Sequence, residues 1–189
     1  MSGHQPRRLA EMQSLAAELL TELRPFCERI EIAGSVRRGA PMCSDIELVA
    51  IPKVGVVRRP GEMFPRLDAD LLDHYARRQL DARRWQPRRD KNGRPALGDR
   101  YKRLLVDGVA LELFSVLPPA SWGVVLLIRT GPAEFSKRMV SMRSQGGYLR
   151  NDCVVRNGAI WSGGVQIEID SEREWFALNG MTFVPPGLR

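Results

Sequence analysis

The chain has 189 residues, 43% hydrophobic and 27% charged, the make-up of an ordinary globular protein with one sizeable core or two small lobes. No run of about 18 apolar residues exists, so nothing in it reads as a membrane span, and the three scattered cysteines, Cys27, Cys43 and Cys153, suit reduced thiols better than a disulfide framework. A formal charge of +7, from 29 basic against 22 acidic residues, points to polyanionic partners.

In chain order, Met1 to Arg8 lacks the apolar core of a signal peptide, which predicts a cytoplasmic protein. Pro6 to Phe26 places Leu9, Met12, Leu19, Leu23 and Phe26 at helical spacing and predicts one amphipathic helix. Glu31 to Ala33 reads as a short strand ended by a Gly34-Ser35 turn, and Ile46 to Ile51 as a second strand stopped by Pro52. Gly55, Pro60, Gly61 and Pro65 mark a loop. Leu67 to Leu80 is helix-like, and Gln86 to Gly98 is a polar connection. Arg103 to Val116 predicts a hairpin turning at Asp107-Gly108, closed off by Pro118-Pro119. Beyond that break come a compact apolar run from Trp122 to Ile128 and a short helix from Glu134 to Arg143. Short strands around Asn157-Gly158 and Gly163-Gly164 follow, then a helix from Ser171. The expected fold class is α+β, a mixed sheet with flanking helices, divided into residues 1–121 and 122–189.

Basic residues cluster. Between Arg77 and Arg103, eleven basic side chains face only Asp81, Asp90 and Asp99. Within this run Arg83, Arg84, Arg88, Arg89, Lys102 and Arg103 are candidates for phosphate contact, and Trp85 for stacking on a base. Composition alone leaves a solvated, Arg-rich helix and loop as an equal reading. Trp122, Trp161 and Trp175 read as core, and His74 as a surface helix residue.

The strongest local signal is Gly34-Ser35-Val36-Arg37-Arg38-Gly39, followed by Ser44-Asp45-Ile46-Glu47. A glycine at a strand end lets backbone N–H groups approach a polyphosphate, Ser35 adds a hydroxyl donor, and Arg38 a planar fork for phosphate oxygens. Asp45 and Glu47 alternate on one strand, so both carboxylates point to one face. They repel unless cations sit between them, the arrangement two Mg²⁺ (or Mn²⁺) ions require. Glu112, acidic within the apolar run Val109 to Phe114, is the best third ligand, because an unpaired charge there is costly.

These segments resemble the palm of family X DNA polymerases, and the resemblance runs in order from Ile30 to Arg189. Leu127 to Pro132 with Phe135 is similar to the family's hydrophobic-Thr-Gly turn. Gly147 to Asp152 looks like its glycine-aromatic segment, and Ser171 to Arg189 like its terminal signature. The resemblance implies a nucleotidyltransferase, a minimal DNA polymerase that fills gaps or extends primers, acting as a monomer on a nucleoside triphosphate and nucleic acid, DNA first. It implies that Asp45 and Glu47 bridge both metals and that Glu112 binds the catalytic one. It further implies that Gly34, Ser35, Arg38, Cys43 and Ser44 hold the triphosphate, and that Thr130, Gly131 and Ser136 lie along sugar and base. It also implies a cis peptide after Gly131. Before a non-proline residue that costs about 2.5–4 kcal/mol, and before Pro132 only about 0.5–1 kcal/mol.

The chain departs from the family in having glutamates at 47 and 112, Ile128-Arg129 in place of an aromatic pair, and Val140 where a template-contacting arginine is expected. No helix-hairpin-helix modules precede the palm, so no lyase activity is expected. Arg37 reads either as a partner of Glu172 or as solvent-facing. A template-independent transferase acting on RNA or another acceptor, and a nucleic-acid-binding relic without turnover, are the alternatives.

Overall fold

The computed structural model describes residues 5–58, 63–89 and 92–189. The first four residues, with Pro60, Gly61, Asp90 and Lys91, all of which figured in the sequence reading, lie outside the described residues. The chain runs β1 (Arg7–Arg8), α1 (Leu9–Leu23), β2 (Cys27–Ala33), α2 (Gly34–Arg38), β3 (Met42–Cys43) and β4 (Asp45–Pro52). Next come β5 (Val54–Val57), β6 (Arg66–Asp70), α3 (Leu71–Asp81), β7 (Trp85–Pro87), β8 (Tyr101–Val106) and β9 (Val109–Ser115). After the prolines follow α4 (Trp122–Thr130), α5 (Ala133–Val140), β10 (Cys153–Arg156), β11 (Ala159–Ser162), β12 (Val165–Ile167) and α6 (Glu172–Leu178). The architecture is α+β with a mixed main sheet.

That sheet has the order β2-β4-β9-β8-β7. All its neighbours are antiparallel except β4 and β9, which run parallel. One face is apolar. Ile46 and Leu48 of β4, Leu111 and Leu113 of β9 and Leu104 of β8 pack against Met12, Ala16, Leu19 and Leu23 of α1 and Leu72 and Ala76 of α3. Those four α1 residues recur at three- and four-residue steps, which places them on one helical stripe. The other face carries Val49 and Phe114, covered by Trp122 and Leu126 of α4. Nearer the start of β4 that face is left to polar side chains.

A second core, with Val124, Leu127, Met139, Ile160, Trp175 and Phe176 among its members, joins α4 and α5 to the β10-β11-β12 meander and α6. The helix α4 is therefore buried on two sides. This explains why its sequence reads as an unbroken apolar run without helical periodicity. Ser171 caps α6 by accepting from the Glu174 amide at 3.2 Å, while Glu174 reaches back to the Asp170 amide at 2.8 Å. Among the described residues no helix is long and apolar enough to cross a membrane.

Several boundaries differ from the sequence reading. The first helix begins at Leu9, because Arg7 and Arg8 pair with Cys43 and Met42. The Gly34-Ser35 turn is the short helix α2, stopped at Gly39, whose φ is 74°. The expected loop after Lys53 contains β5. Residues Arg66–Asp70 pair with β5 instead of starting a helix. Asp70 then caps α3 by accepting from the Asp73 amide at 2.8 Å, which fixes the helix start at Leu71. The polar connection is tied to the sheet through β7 and an Arg89–Pro95 bridge. Gly131–Pro132 is cis, as the resemblance implied; Pro118–Pro119 is cis as well.

Candidate active site

Strand alternation puts Asp45 and Glu47 on the same face of β4, and the parallel register sets Glu47 directly opposite Glu112 of β9. Ligand atoms of all three carboxylates lie within 4.8 Å of one another, on the polar part of the sheet face. Gly34 makes room for this cluster. It has φ +62°, and a Cβ there would stand 2.1 Å from Glu47 Oε2. The space freed by the missing side chain is thus taken up by Glu47 itself.

The electrostatics are strained in one direction. Burial first, then the charges of Asp45 and Glu112, push the Glu47 carboxyl up to about 7, against the pull of Arg129 and Arg38. Asp45 is also raised, by burial and then Glu112, with Arg88, Arg103 and Arg38 opposing. Glu112 meets two guanidinium groups, Arg103 Nε at 3.1 Å and Arg88 Nη1 at 3.8 Å from Oε1. Three hard oxygen donors, mutually repelling and only half-buried, are a chemically suitable set for a divalent cation such as Mg²⁺ or Mn²⁺.

Beside the carboxylates opens a cleft of about 460 Å³ lined by residues from both parts of the chain. From α2 and β4 come Ser35, Arg38, Ser44, Asp45 and Glu47, and from the α4–α5 turn Ile128, Arg129, Gly131, Pro132, Ala133 and Ser136. Ser35 Oγ is buried and has no hydrogen-bond partner, so the cleft holds an unused donor. Arg38 donates through Nη1 to the Thr130 carbonyl. A Cβ on Gly131 would come within 3.0 Å of that same Nη1. Ser136 Oγ donates to the Ile128 carbonyl at 2.7 Å, which closes the turn.

The two sides of the cleft are locked by a partly buried ion chain. Arg37 Nη1 donates to Thr130 Oγ1 at 2.5 Å and Nη2 to Glu172 at 2.7 Å; the other Glu172 oxygen accepts from Arg189 Nη1 at 2.6 Å. Of the two readings of Arg37, the structural one is what the molecule has.

Several site residues fall elsewhere than expected. Gly34, Cys43 and Thr130 do not line the cleft: Gly34 sits under Glu47, Thr130 is fully buried, and the Cys43 thiol packs in the first core and donates to the Ala40 carbonyl. Trp85 is only 3% exposed, edge-on to Tyr75 at 5.8 Å, so it is a core residue and not a stacking platform. Lys102 is buried too, its ammonium held by Asp73 Oδ1 at 3.0 Å and the Gly98 carbonyl at 3.1 Å, and it offers nothing to a phosphate. Strand alternation explains both. Trp85 and Lys102 fall on the helix-covered face of the sheet, whereas Arg88 and Arg103 fall on the carboxylate face. Arg83, Arg84 and Arg89 remain exposed.

Sequence reasoning assigned Arg103 and Arg88 to nucleic acid and missed their place beside Glu112. The hairpin held the signal for Arg103: a two-residue turn at Asp107-Gly108 pairs Val106 with Val109 and hence Arg103 with Glu112. Ile128 and Arg129, which stand in the place of the aromatic pair that the resemblance led us to expect before Thr130, both line the cleft. The chain matches no protein-family model and no curated protein.

Proposed function

We propose that the chain is a metal-dependent nucleotidyltransferase of the family X polymerase type, transferring a nucleotide from a nucleoside triphosphate to the 3′-hydroxyl of a DNA strand. The observation that carries this reading is the convergence of Asp45, Glu47 and Glu112 from paired strands beside a cleft holding an unpartnered serine hydroxyl.

In this reading Asp45 and Glu47 would hold two divalent cations and Glu112 one of them. When bound, these would neutralise phosphate charge and favour the ionised 3′-hydroxyl. The chain's own groups do the rest. Ser35 Oγ and Ser44 donate to phosphate oxygens, and Arg38, with one nitrogen spent on Thr130, turns the remainder of its fork to the triphosphate. The 3′-oxygen attacks the α-phosphorus in line, the bond to the bridging oxygen breaks, and pyrophosphate leaves. Arg103 and Arg88 both meet Oε1 of Glu112 and hold its carboxylate in one orientation.

A template-independent transferase is favoured by one observation. With Trp85 and Lys102 in the core, the basic run offers fewer contacts to a duplex than its composition suggests. One experiment addresses both readings: labelled nucleotides with Mg²⁺ or Mn²⁺ on gapped DNA, blunt DNA and single-stranded RNA, for the wild type and Asp45→Asn. Template-directed addition supports the polymerase and untemplated tails the second reading, with Asp45→Asn slower by at least about a hundredfold. Absence of incorporation on every substrate with both metals refutes the proposal.

A further inference from the structure

Exposed apolar side chains collect on the β5–β6 ribbon. Among the described residues nine large hydrophobic side chains are exposed, and five of them, Val54, Val56, Met63, Phe64 and Leu67, belong to this one segment. Strand alternation sorts them. A Cβ on Gly55 would touch Leu71 of α3, and Val57 is buried, so Val54 and Val56 point to the outer face. Arg66 pairs with Val57, which turns Leu67, one residue on, outwards as well. Met63 and Phe64, 81% and 75% exposed, stand just ahead of β6. The two strands pair with each other, and among the described residues each keeps one edge without a neighbouring strand.

Size, charge and position say what fits this face. At roughly 100 Å² of apolar surface for each side chain, the five expose roughly 500 Å², towards the top of what a monomer shows in one patch. Two such faces laid together remove about 1,000 Å² from water, the least that a specific protein interface needs. From Lys53 to Asp70, Lys53, Arg58, Arg59 and Arg66 stand against Glu62, Asp68 and Asp70, close to balance in a chain of charge +7. A nucleic acid or an anionic membrane is drawn to an excess of basic residues, as in the Arg77–Arg103 run, and this segment offers an excess of one. Two copies of a cationic chain repel, and they meet at least cost where the local charge cancels. The ribbon is also remote from the cleft. β5 leaves the main sheet beyond Pro52, which lies about 23 Å along β4 from Asp45, so a molecule on the ribbon leaves the cleft open.

We infer that the outer face of the β5–β6 ribbon is the contact between two copies of this chain, a two-fold dimer anchored by Phe64 and Leu67, where the resemblance implied a monomer. In a two-fold contact the same patch serves both copies, so one apolar face is enough to cover itself.

Multi-angle light scattering on the gel-filtered protein, loaded at about 1 to 100 µM, reads the mass directly. At the higher concentrations the wild type is expected at twice the 21.3 kDa of one chain. Phe64→Asp places a charge in the contact of both copies. At about thirtyfold for each lost anchor, the dimer dissociation constant should rise about a thousandfold, leaving the variant at the mass of one chain. Leu67→Asp should act in the same direction. Both side chains are exposed in the single chain, so the circular dichroism spectrum of either variant should match that of the wild type. A wild type that keeps the mass of one chain throughout overturns the inference, and so does a dimer that both variants preserve. A monomeric wild type that sediments with phosphatidylserine vesicles or binds DNA, and loses this with Phe64→Asp, overturns it too by giving the ribbon to lipid or nucleic acid.

Discussion

Replacing Glu47 by glutamine in the metal-free protein removes one of three converging charges and keeps the side chain's shape. Burial, with Asp45 and Glu112 alongside, moves the Glu47 carboxyl from its ordinary 4.5 to about 7. That displacement corresponds to about 3 kcal/mol at 25 °C. Its sign follows from proton linkage. Between those two values the folded protein holds a proton that the unfolded chain has released, so stability is full below pH 4.5 and falls as pH rises through 7. Glutamine has no such dependence. In EDTA, wild type and Glu47→Gln should therefore be equally stable near pH 4. At pH 8 the variant should lead by about 3 kcal/mol, roughly 6–12 °C in unfolding midpoint for a chain of this length. Thermal and urea unfolding followed by circular dichroism from pH 4 to 8 measures the difference. Adding Mg²⁺ at pH 8 should raise the wild type more than the variant, because a cation stabilises the state it binds. Parallel pH curves for the two proteins would refute the crowding of carboxylates on which the candidate site rests.

Three further outcomes follow from the same geometry. Glu172→Ala leaves the half-buried guanidinium of Arg37 and the buried one of Arg189 without their shared carboxylate, and should cost about 3–5 kcal/mol in urea unfolding. Trp85→Ala should destabilise by about 3–5 kcal/mol, while Trp85→Phe at matched folding leaves DNA affinity unchanged; a selective loss of binding in the phenylalanine variant would return Trp85 to the surface. Replacing exposed Arg83, Arg84 and Arg89 together by alanine should weaken DNA binding and flatten its log–log salt slope by about 0.9 for each phosphate that is no longer neutralised, read by fluorescence anisotropy at several salt concentrations.

How legible all this was in the sequence varies element by element. The α1 stripe, the β8–β9 hairpin with its turn at Asp107-Gly108, and the common face of Asp45 and Glu47 are local patterns, decided by the period of helix or strand and by two residues with φ of 48° and 75°. The α4 run was ambiguous because burial on two sides erases the amphipathic signal. The basic run misled because charge clustering says nothing about which side of a strand each residue takes. Lys102 is buried because Asp73 and two backbone carbonyls, remote from any local pattern, neutralise and satisfy its ammonium.

From the amino-acid order alone came the residues of the candidate site: the glycine-serine turn, two carboxylates two residues apart, and a third acid in an apolar strand. Their meeting was decided by the tertiary structure. Glu47 faces Glu112 only because β9 lies parallel to β4 across a long intervening stretch of chain, and the cleft has a second wall because α4 packs on Val49 and Phe114 while Arg37 and Arg38 tie α2 to Glu172 and Thr130. Contacts between distant segments depend on which surfaces can be buried together, and that is a property of the whole folded chain that no short window of residues contains.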